Sequence, residues 1–207
     1  MTQHVEGTLY IVSAPSGAGK TSLLKSLVEG DPSFAVSVSY TTRPKRSGEI
    51  DGKDYFFVDE DRFLEMAENG EFLEHAKVFD NHYGTSKRFI EEKLAAGMDV
   101  ILEIDWQGAE QVRDLMPQSV SVFILPPSSS ALENRLRHRG QDSEETIARR
   151  MRDAVNEMSH YREYDYIVVN DEFEKALLEL QAIVVSMRLH ASRQVYRLHG
   201  LLSDLLA

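Results

Sequence analysis

Ala14-Pro15-Ser16-Gly17-Ala18-Gly19-Lys20-Thr21 is the stretch whose reading decides the fold. It follows the apolar run Leu9-Tyr10-Ile11-Val12 and precedes Ser22-Leu23-Leu24-Lys25-Ser26-Leu27-Val28, where apolar positions recur at helical spacing. Strand, glycine-rich loop and helix start form the context that a phosphate-binding loop needs. Small residues let backbone N–H groups turn inward around phosphate oxygens. The helix N-terminus adds unpaired donors and the positive end of a dipole. Lys20 has the reach for β- and γ-phosphates, and the Thr21 hydroxyl suits Mg²⁺. The pattern G-x-x-x-x-G-K-[ST] begins with Gly where this chain has Ala14, so the turn must accept a Cβ there. The competing reading is a glycine-rich turn with a chance lysine, which the flanking strand and helix disfavour.

Working outward, the helix after the loop stops at Gly30-Asp31-Pro32. Residues 34–39 alternate like a short strand and lead into the basic loop Tyr40-Thr41-Thr42-Arg43-Pro44-Lys45-Arg46-Ser47-Gly48-Glu49. The turn Asp51-Gly52-Lys53-Asp54 is a hairpin signal before Tyr55-Phe56-Phe57-Val58. Residues 59–70 read as a helix, 72–79 as a strand and 80–86 as a turn whose Ser86 caps a helix at 87–96. Strands at 100–105, 120–125 and 166–169 then alternate with helices, two of them at 129–138 and 143–159. A long helix from 173 closes the chain.

Four apolar strands alternating with helices predict an α/β fold: a P-loop core with a parallel sheet flanked by helices. A small β-rich insertion and a helical lid interrupt it. The expected division is a core of 1–38, 98–125 and 151–207, an insertion of 39–97 and a lid of 126–150. Ligands in open α/β sheets bind at the carboxyl ends of strands, which groups the loop, Asp105 and Asn170 on one edge.

Arg43 and Arg46 lie three apart, with Tyr55 further on and Tyr83 beside Gly84. Guanidinium forks suit phosphate, and phenol hydroxyls add neutral donors. This second cluster suggests a second phosphate; a solvated basic loop is the bland alternative. Glu74 sits in the apolar run Phe72-Leu73-Glu74-His75-Ala76. A carboxylate accepts two hydrogen bonds at once, and guanine offers N1–H and an amine side by side, whereas adenine does not. An outward Glu on an edge strand is the alternative. Asp105 ends a strand, where P-loop proteins keep an acid for Mg²⁺ or its waters, with Glu103 two residues earlier on the same face. A capping Asp before Gln107-Gly108 is its alternative. Arg135, Arg139 and Arg150 flank the lid and suit a transferring phosphoryl group; surface pairing with Glu133, Glu144 and Glu145 competes. Trp106 is expected to pack in the core.

The 207 residues suffice for one large domain with a sizeable core. A net charge of −11 argues against a general nucleic-acid binder, so a nucleotide site must be locally basic. There are no cysteines, which excludes disulfides and thiolate zinc sites and is consistent with a cytoplasmic protein. Met1 to Gly7 lacks the basic and apolar regions of a secretory leader. No apolar run reaches the roughly 18 residues of a membrane span. The histidines show no transition-metal spacing. Leu198, Leu201, Leu202, Leu205 and Leu206 recur at helical spacing, read as a helix packed on its own core or a contact in a homo-oligomer.

In order and spacing, APSGAGKT, SYTTRPKRSGE, FLEHA, YGTS, EIDWQG, ENRLRHRGQDSEE and IVVND resemble bacterial guanylate kinases, from about residue 8 to 190. The resemblance implies transfer of the γ-phosphoryl of ATP to GMP, with Mg²⁺ accompanying ATP and dGMP as a further acceptor. It implies GMP contacts at Ser39, Arg43, Arg46, Tyr55, Glu74, Tyr83 and Thr85, with Glu103 and Asp105 beside them. Ala14, Pro15, Ser16, Gly17, Ala18, Gly19, Lys20 and Thr21 would hold ATP phosphates, Asn170 would lie near the adenine, and Thr21 and Asp105 would serve Mg²⁺. Lys20, Arg43, Arg135, Arg139 and Arg150 would carry catalysis. Ala14 replaces a frequent Gly, Glu103 a frequent Asp, and Thr85 a Ser found in some members; none removes a functional group. A phosphate monoester is largely dianionic near neutrality, since its second pKa is about 6, so no general base is needed. Two rivals stand: the same fold acting on another acceptor such as a sugar phosphate, and a kinase-like module that binds peptides.

Overall fold

The computed structural model describes residues 6–78, 80–138 and 143–207. The elements run β1 (Leu9–Ser13), α1 (Lys20–Glu29), β2 (Phe34–Val36), β3 (Tyr40–Thr41), β4 (Phe56–Phe57), α2 (Glu60–Glu68), β5 (Phe72–Val78), β6 (Asn81–Ser86) and α3 (Lys87–Ala95). They continue with β7 (Asp99–Glu103), α4 (Trp106–Leu115), β8 (Val120–Leu125), α5 (Ser129–His138), α6 (Glu144–Ser159), a 3-10 turn (His160–Glu163), β9 (Tyr166–Val169), α7 (Phe173–Leu189), α8 (Ala191–Arg197) and α9 (His199–Leu205).

The core sheet has the order β2-β7-β1-β8-β9, and every pairing is parallel. β1 is buried along its whole length, as a strand covered on both faces must be. Its side chains alternate between the two layers. Tyr10 and Val12 pack with Leu23, Leu24 and Leu27 of α1 and with Ala176, Leu180 and Val184 of α7. Leu9 and Ile11 pack with Ile90 and Leu94 of α3 and with Ala109 and Val112 of α4. Each fully buried Val, Leu or Ile among these contributes roughly 1.5–3 kcal/mol.

A second sheet, β4-β3-β6-β5, has its own small core of Phe63, Met66 and Phe72, with the two phenyl rings stacked 4.7 Å apart. It leaves the core after β2 and returns through α3 to β7, whose neighbour in the sheet is β2 itself. α5 and α6 share a third cluster, Leu132, Leu136 and Ala154.

The four expected core strands are present, and β2 joins them as a fifth. It ends at Val36, not at residue 39. The turn at Asp51–Asp54 makes no hairpin: β3 and β4 pair in parallel. Residues 81–86, read as a turn from Asn, Gly and Ser, form a strand because β5 supplies an antiparallel partner along that run, a tertiary override of local preference. Ser86 nevertheless caps α3, accepting from Phe89 N at 3.4 Å. Trp106 is half-buried, not core, and stacks on His160 with ring centroids 3.8 Å apart.

The closing helix is three helices, and the tail leucines do not pack on the core; Leu206 is 84% exposed, and Leu198, Leu201 and Leu205 are exposed as well. An ionic clasp fixes the start of this tail. Buried Asp99 accepts from Arg188 Nε at 2.7 Å and from Thr8 N at 2.7 Å, and Arg193 reaches its other side at 3.2 Å. Among the described residues no helix is long and apolar enough to cross a membrane.

Candidate functional site

At the carboxyl end of β1 the chain turns into the phosphate loop. The helices α2, α3, α4 and α6 each begin with a side chain bonded to a first-turn N–H. α1 does not: Gly19 precedes it in the left-handed region at φ +90°, and no side chain caps it. The first N–H groups of α1 therefore keep their capacity for an anion. Lys20 Nζ rests on the Ile104 carbonyl at 3.2 Å, and Thr21 Oγ1 donates to Glu103 Oε1 at 2.5 Å. Ser16 N donates to Glu157 Oε2 at 3.1 Å. Burial pushes the Glu157 carboxyl above its usual range, against the pull of that N–H and of Lys20.

The loop is one wall of a cleft of about 380 Å³. Ala14, Pro15, Ser16, Gly17, Gly19, Lys20 and Thr21 line it, and so do Ser39, Arg46, Tyr55, Glu74, Tyr83, Glu103, Asp105, Arg150 and Glu157. One concavity thus joins the loop, the ends of the core strands and the face of the small sheet. Sequence-distant groups meet there because β7 ends beside β1 and α4, which follows β7, packs against β5.

Glu74 is only 4% exposed and inward-facing, which removes the reading of it as an outward edge residue. Its Oε1 accepts from Thr85 Oγ1 at 2.5 Å. Burial pushes the carboxyl up to about 7; the Thr85 hydroxyl opposes this and the Asp105 carboxylate adds to it. Thr85 stands behind Glu74, fully buried, and does not itself line the cleft. Asp105 both lines the cleft and caps α4, accepting from Gly108 N at 3.0 Å, so the capping and functional readings coincide. Burial raises the Tyr55 phenol, helped by the Glu103 carboxylate, which keeps it a neutral donor.

Arg43 lies outside the cleft lining. Its guanidinium pairs with Glu49 Oε1 at 2.6 Å and sits 5.3 Å from the Tyr55 ring centroid. Glu49 also accepts from Arg46 N at 2.7 Å, which shapes the basic loop and turns the Arg46 side chain's segment toward the cleft. Sequence reasoning passed over Glu49, although its spacing of six and three from the two arginines was visible. It also missed Glu157, which nothing in the local pattern of charged α6 distinguishes.

Of the lid arginines, Arg150 lines the cleft. Arg135 lies behind the loop, donating to the Asn170 carbonyl at 2.8 Å and the Ala18 carbonyl at 3.4 Å. Asn170 is buried, and its Nδ2 donates to the same Ala18 carbonyl at 2.7 Å. Arg139 lies outside the described residues. The expected pairing of lid arginines with Glu133 and Glu144 is made by Arg137.

For a cation, the Thr21 hydroxyl and the carboxylates of Glu103 and Asp105 present oxygen donors beside Lys20. Among the described residues no three His, Cys, Asp or Glu side chains cluster to hold a metal alone. That combination fits Mg²⁺, which takes one or two protein oxygens and fills its shell with water and phosphate oxygens.

Comparison with known proteins adds to this geometry. Residues 6–187 match the family model described as guanylate kinase. The guanylate kinase of Methylococcus capsulatus is 62% identical over 201 residues, covering 97% of this chain and 98% of the relative. That of Escherichia coli is 58% identical over 204 residues, covering 98% and 99%. The crystal structure of guanylate kinase from Anaplasma phagocytophilum is similar in fold, with a TM-score of 0.77 and 35% identity over 91% of this chain and 90% of that one.

Proposed function

The chain belongs to the guanylate kinase family, and from that premise we propose how its cleft transfers the γ-phosphoryl of ATP to GMP. The activity is that of an ATP:GMP phosphotransferase, giving ADP and GDP. The assignment of roles rests on one observation: the phosphate loop and the buried Glu74 carboxyl line a single cleft.

On the loop side, residues 14–21 hold the ATP phosphates through backbone N–H groups, and Lys20 neutralises charge on the moving phosphoryl. For this to happen Ser16 N must exchange Glu157 for a phosphate oxygen. Asn170 and Arg135 keep the loop in shape from behind the Ala18 carbonyl, next to the adenine side. On the acceptor side, ionised Glu74 accepts from guanine N1–H and the 2-amine, with Ser39 and Asp105 beside it. Arg46, Tyr55 and Tyr83 hold the GMP phosphate, and Arg43 backs Tyr55. GMP and dGMP share every group named here, so both are acceptors.

The acceptor phosphate is already a dianion over most of the neutral range, its second pKa being about 6, so the chain needs no base to deprotonate it. Positioning and charge neutralisation by Lys20, Arg46 and Arg150 carry the catalysis. Thr21, Asp105 and Glu103 would hold Mg²⁺, which would offset the negative charge of the ATP phosphates. The segments 39–97 and 126–150 move toward the core to keep water away from ATP. An acidic chain without cysteines supports a cytoplasmic setting.

A coupled ADP-release assay with Mg·ATP and GMP, dGMP, AMP, CMP, UMP or ribose 5-phosphate tests this. Turnover confined to GMP and dGMP is expected. Comparable turnover with AMP would remove Glu74 as the selector, and turnover on a sugar phosphate alone would replace the acceptor.

A further inference from the structure

β5, which carries Glu74, is the edge strand of the small sheet. An edge strand leaves alternate N–H and C=O groups without a ladder partner. At His75, next to Glu74, one side chain takes both. Gln111 Oε1 accepts from His75 N at 3.2 Å, and Gln111 Nε2 donates to His75 O at 3.0 Å. A carboxamide holds donor and acceptor in one plane, so it can stand where the next strand would stand. Gln111 belongs to α4, and its Nε2 also leans on the Gln107 carbonyl at 3.4 Å.

Three residues earlier on α4, Gly108 lies against the Glu74 carboxyl. A Cβ at Gly108 would stand 2.5 Å from Glu74 Oε2 and 3.1 Å from its Cδ. The carboxyl is therefore held from two directions and open in a third. Thr85 holds Oε1, the missing side chain of Gly108 leaves room for Oε2, Gln111 pins the adjoining backbone, and Glu74 faces the cleft. Neither Gly108 nor Gln111 lines that cleft.

We propose that α4 is the positioning element for base selection, with Gly108 and Gln111 setting where the Glu74 carboxylate meets a ring N–H and its neighbouring amine. This rests on the reading of Glu74 as the guanine selector. α4 starts at the end of β7, whose Glu103 touches Thr21. The helix thus sets the span between the phosphate loop and the selector, as well as the selector's own placement. A methyl at 108 is met by the far end of a flexible side chain beside open space, so the carboxyl moves and the helix stays. Ala is also the better helix former, so discrimination falls without a loss of stability.

The experiment compares the full chain with Gly108→Ala, Gln111→Ala and Glu74→Gln. Each is assayed with Mg·ATP and either GMP or IMP, which keeps the N1–H and lacks the 2-amine. Thermal midpoints are taken alongside. Gly108→Ala is expected to raise KM for GMP about tenfold, hold KM for ATP within about twofold and leave the midpoint unlowered. The GMP:IMP ratio of kcat/KM should fall toward that of Glu74→Gln, and Gln111→Ala should move it the same way. The proposal is overturned if Glu74→Gln collapses the ratio while both α4 variants leave it alone. It is also overturned if KM for ATP and GMP rise together with a lowered midpoint, the mark of a merely structural helix. An unchanged ratio in Glu74→Gln itself strikes the underlying reading, and is told apart by that variant alone.

Discussion

Asn170 Nδ2 donates to the Ala18 carbonyl at 2.7 Å, so the residue following the last core strand holds the phosphate loop from 152 positions away. The same amide fills the space where a side chain on Gly19 would sit, and Gly19 has φ +90°. Gly19→Ala meets both obstacles, and the left-handed backbone alone costs about 1–2 kcal/mol. We expect a lower thermal midpoint and a KM for ATP raised about tenfold or more, with GMP affinity kept. Asn170→Ala removes a buried donor, costs about 1–3 kcal/mol and moves KM for ATP in the same direction. Calorimetry with ATP and with GMP separates the two ligands; equal losses for both would contradict the link to the loop.

Lys20 is held over the cleft by the Ile104 carbonyl at 3.2 Å. Lys20→Ala should lower kcat by about 10²-fold or more, the cost of one charge-stabilising group at a transferring phosphoryl. GMP binding measured without ATP should not change. Lys20→Arg should fail to restore the rate, because a planar fork does not replace a compact point charge. Wild-type turnover in either variant would end the assignment.

The Glu74 carboxyl has a pKa of about 7 in the folded chain against an ordinary 4.5, with burial the main cause. The folded state therefore binds more protons than the unfolded state between those values. The stabilisation by the neutral form is complete below 4.5 and is lost as pH rises through about 7. Urea midpoints at pH 5 and pH 8 should show the native chain losing stability relative to Glu74→Gln at the higher pH. GMP binding needs the ionised carboxylate, so KM for GMP should fall as pH rises across the same upper range. GMP's own phosphate, with its pKa of about 6, adds a slope that Glu74→Gln retains and so subtracts. Parallel pH profiles in the two proteins would refute the role.

The core was legible in residues 8–30 and in the runs 100–105, 120–125 and 166–169. There, continuous apolar stretches, a Gly-Lys-Thr turn and helix stops all favour one outcome. The insertion was harder, because its strands are made by pairing and not by pattern. Asn81 to Ser86 has the composition of a turn and becomes a strand only against β5. Asp51 to Asp54 carries a hairpin signal, yet the strand after it, Phe56-Phe57, pairs in parallel. That Glu74 stands apart was readable from an acid in an apolar run, whereas Thr85, Gly108 and Gln111 gather around it only through topology. Arg43 and Arg135 show the same limit. Their residue type suits phosphate, yet Glu49, six residues on from Arg43, and the Ala18 carbonyl, far from Arg135 in the chain order, hold their side chains.

Asp99, with its side chain 3% exposed, faces Arg188 and Arg193 across the sheet's far end. Asp99→Ala leaves Arg188 with Asp31 and Ser33 and Arg193 with Thr8, but takes the acceptor from the buried Thr8 N–H, and should cost about 1–3 kcal/mol, read from urea unfolding. The site is remote from the cleft, so KM for ATP and GMP should hold below the new midpoint. A selective rise in KM for GMP would mean that the tail communicates with the acceptor side.

The small sheet departs from the core after β2 and comes back at β7, the strand lying next to β2. Entry and exit at neighbouring points make that sheet a cassette, one whose replacement leaves the order of the core undisturbed. Lineages of such proteins can then explore new acceptors by drift within the cassette while the donor machinery stays under separate selection. α4 marks where that freedom stops: it grows from the core and reaches into the cassette, so any exchange of recognition modules must carry a matching helix with it.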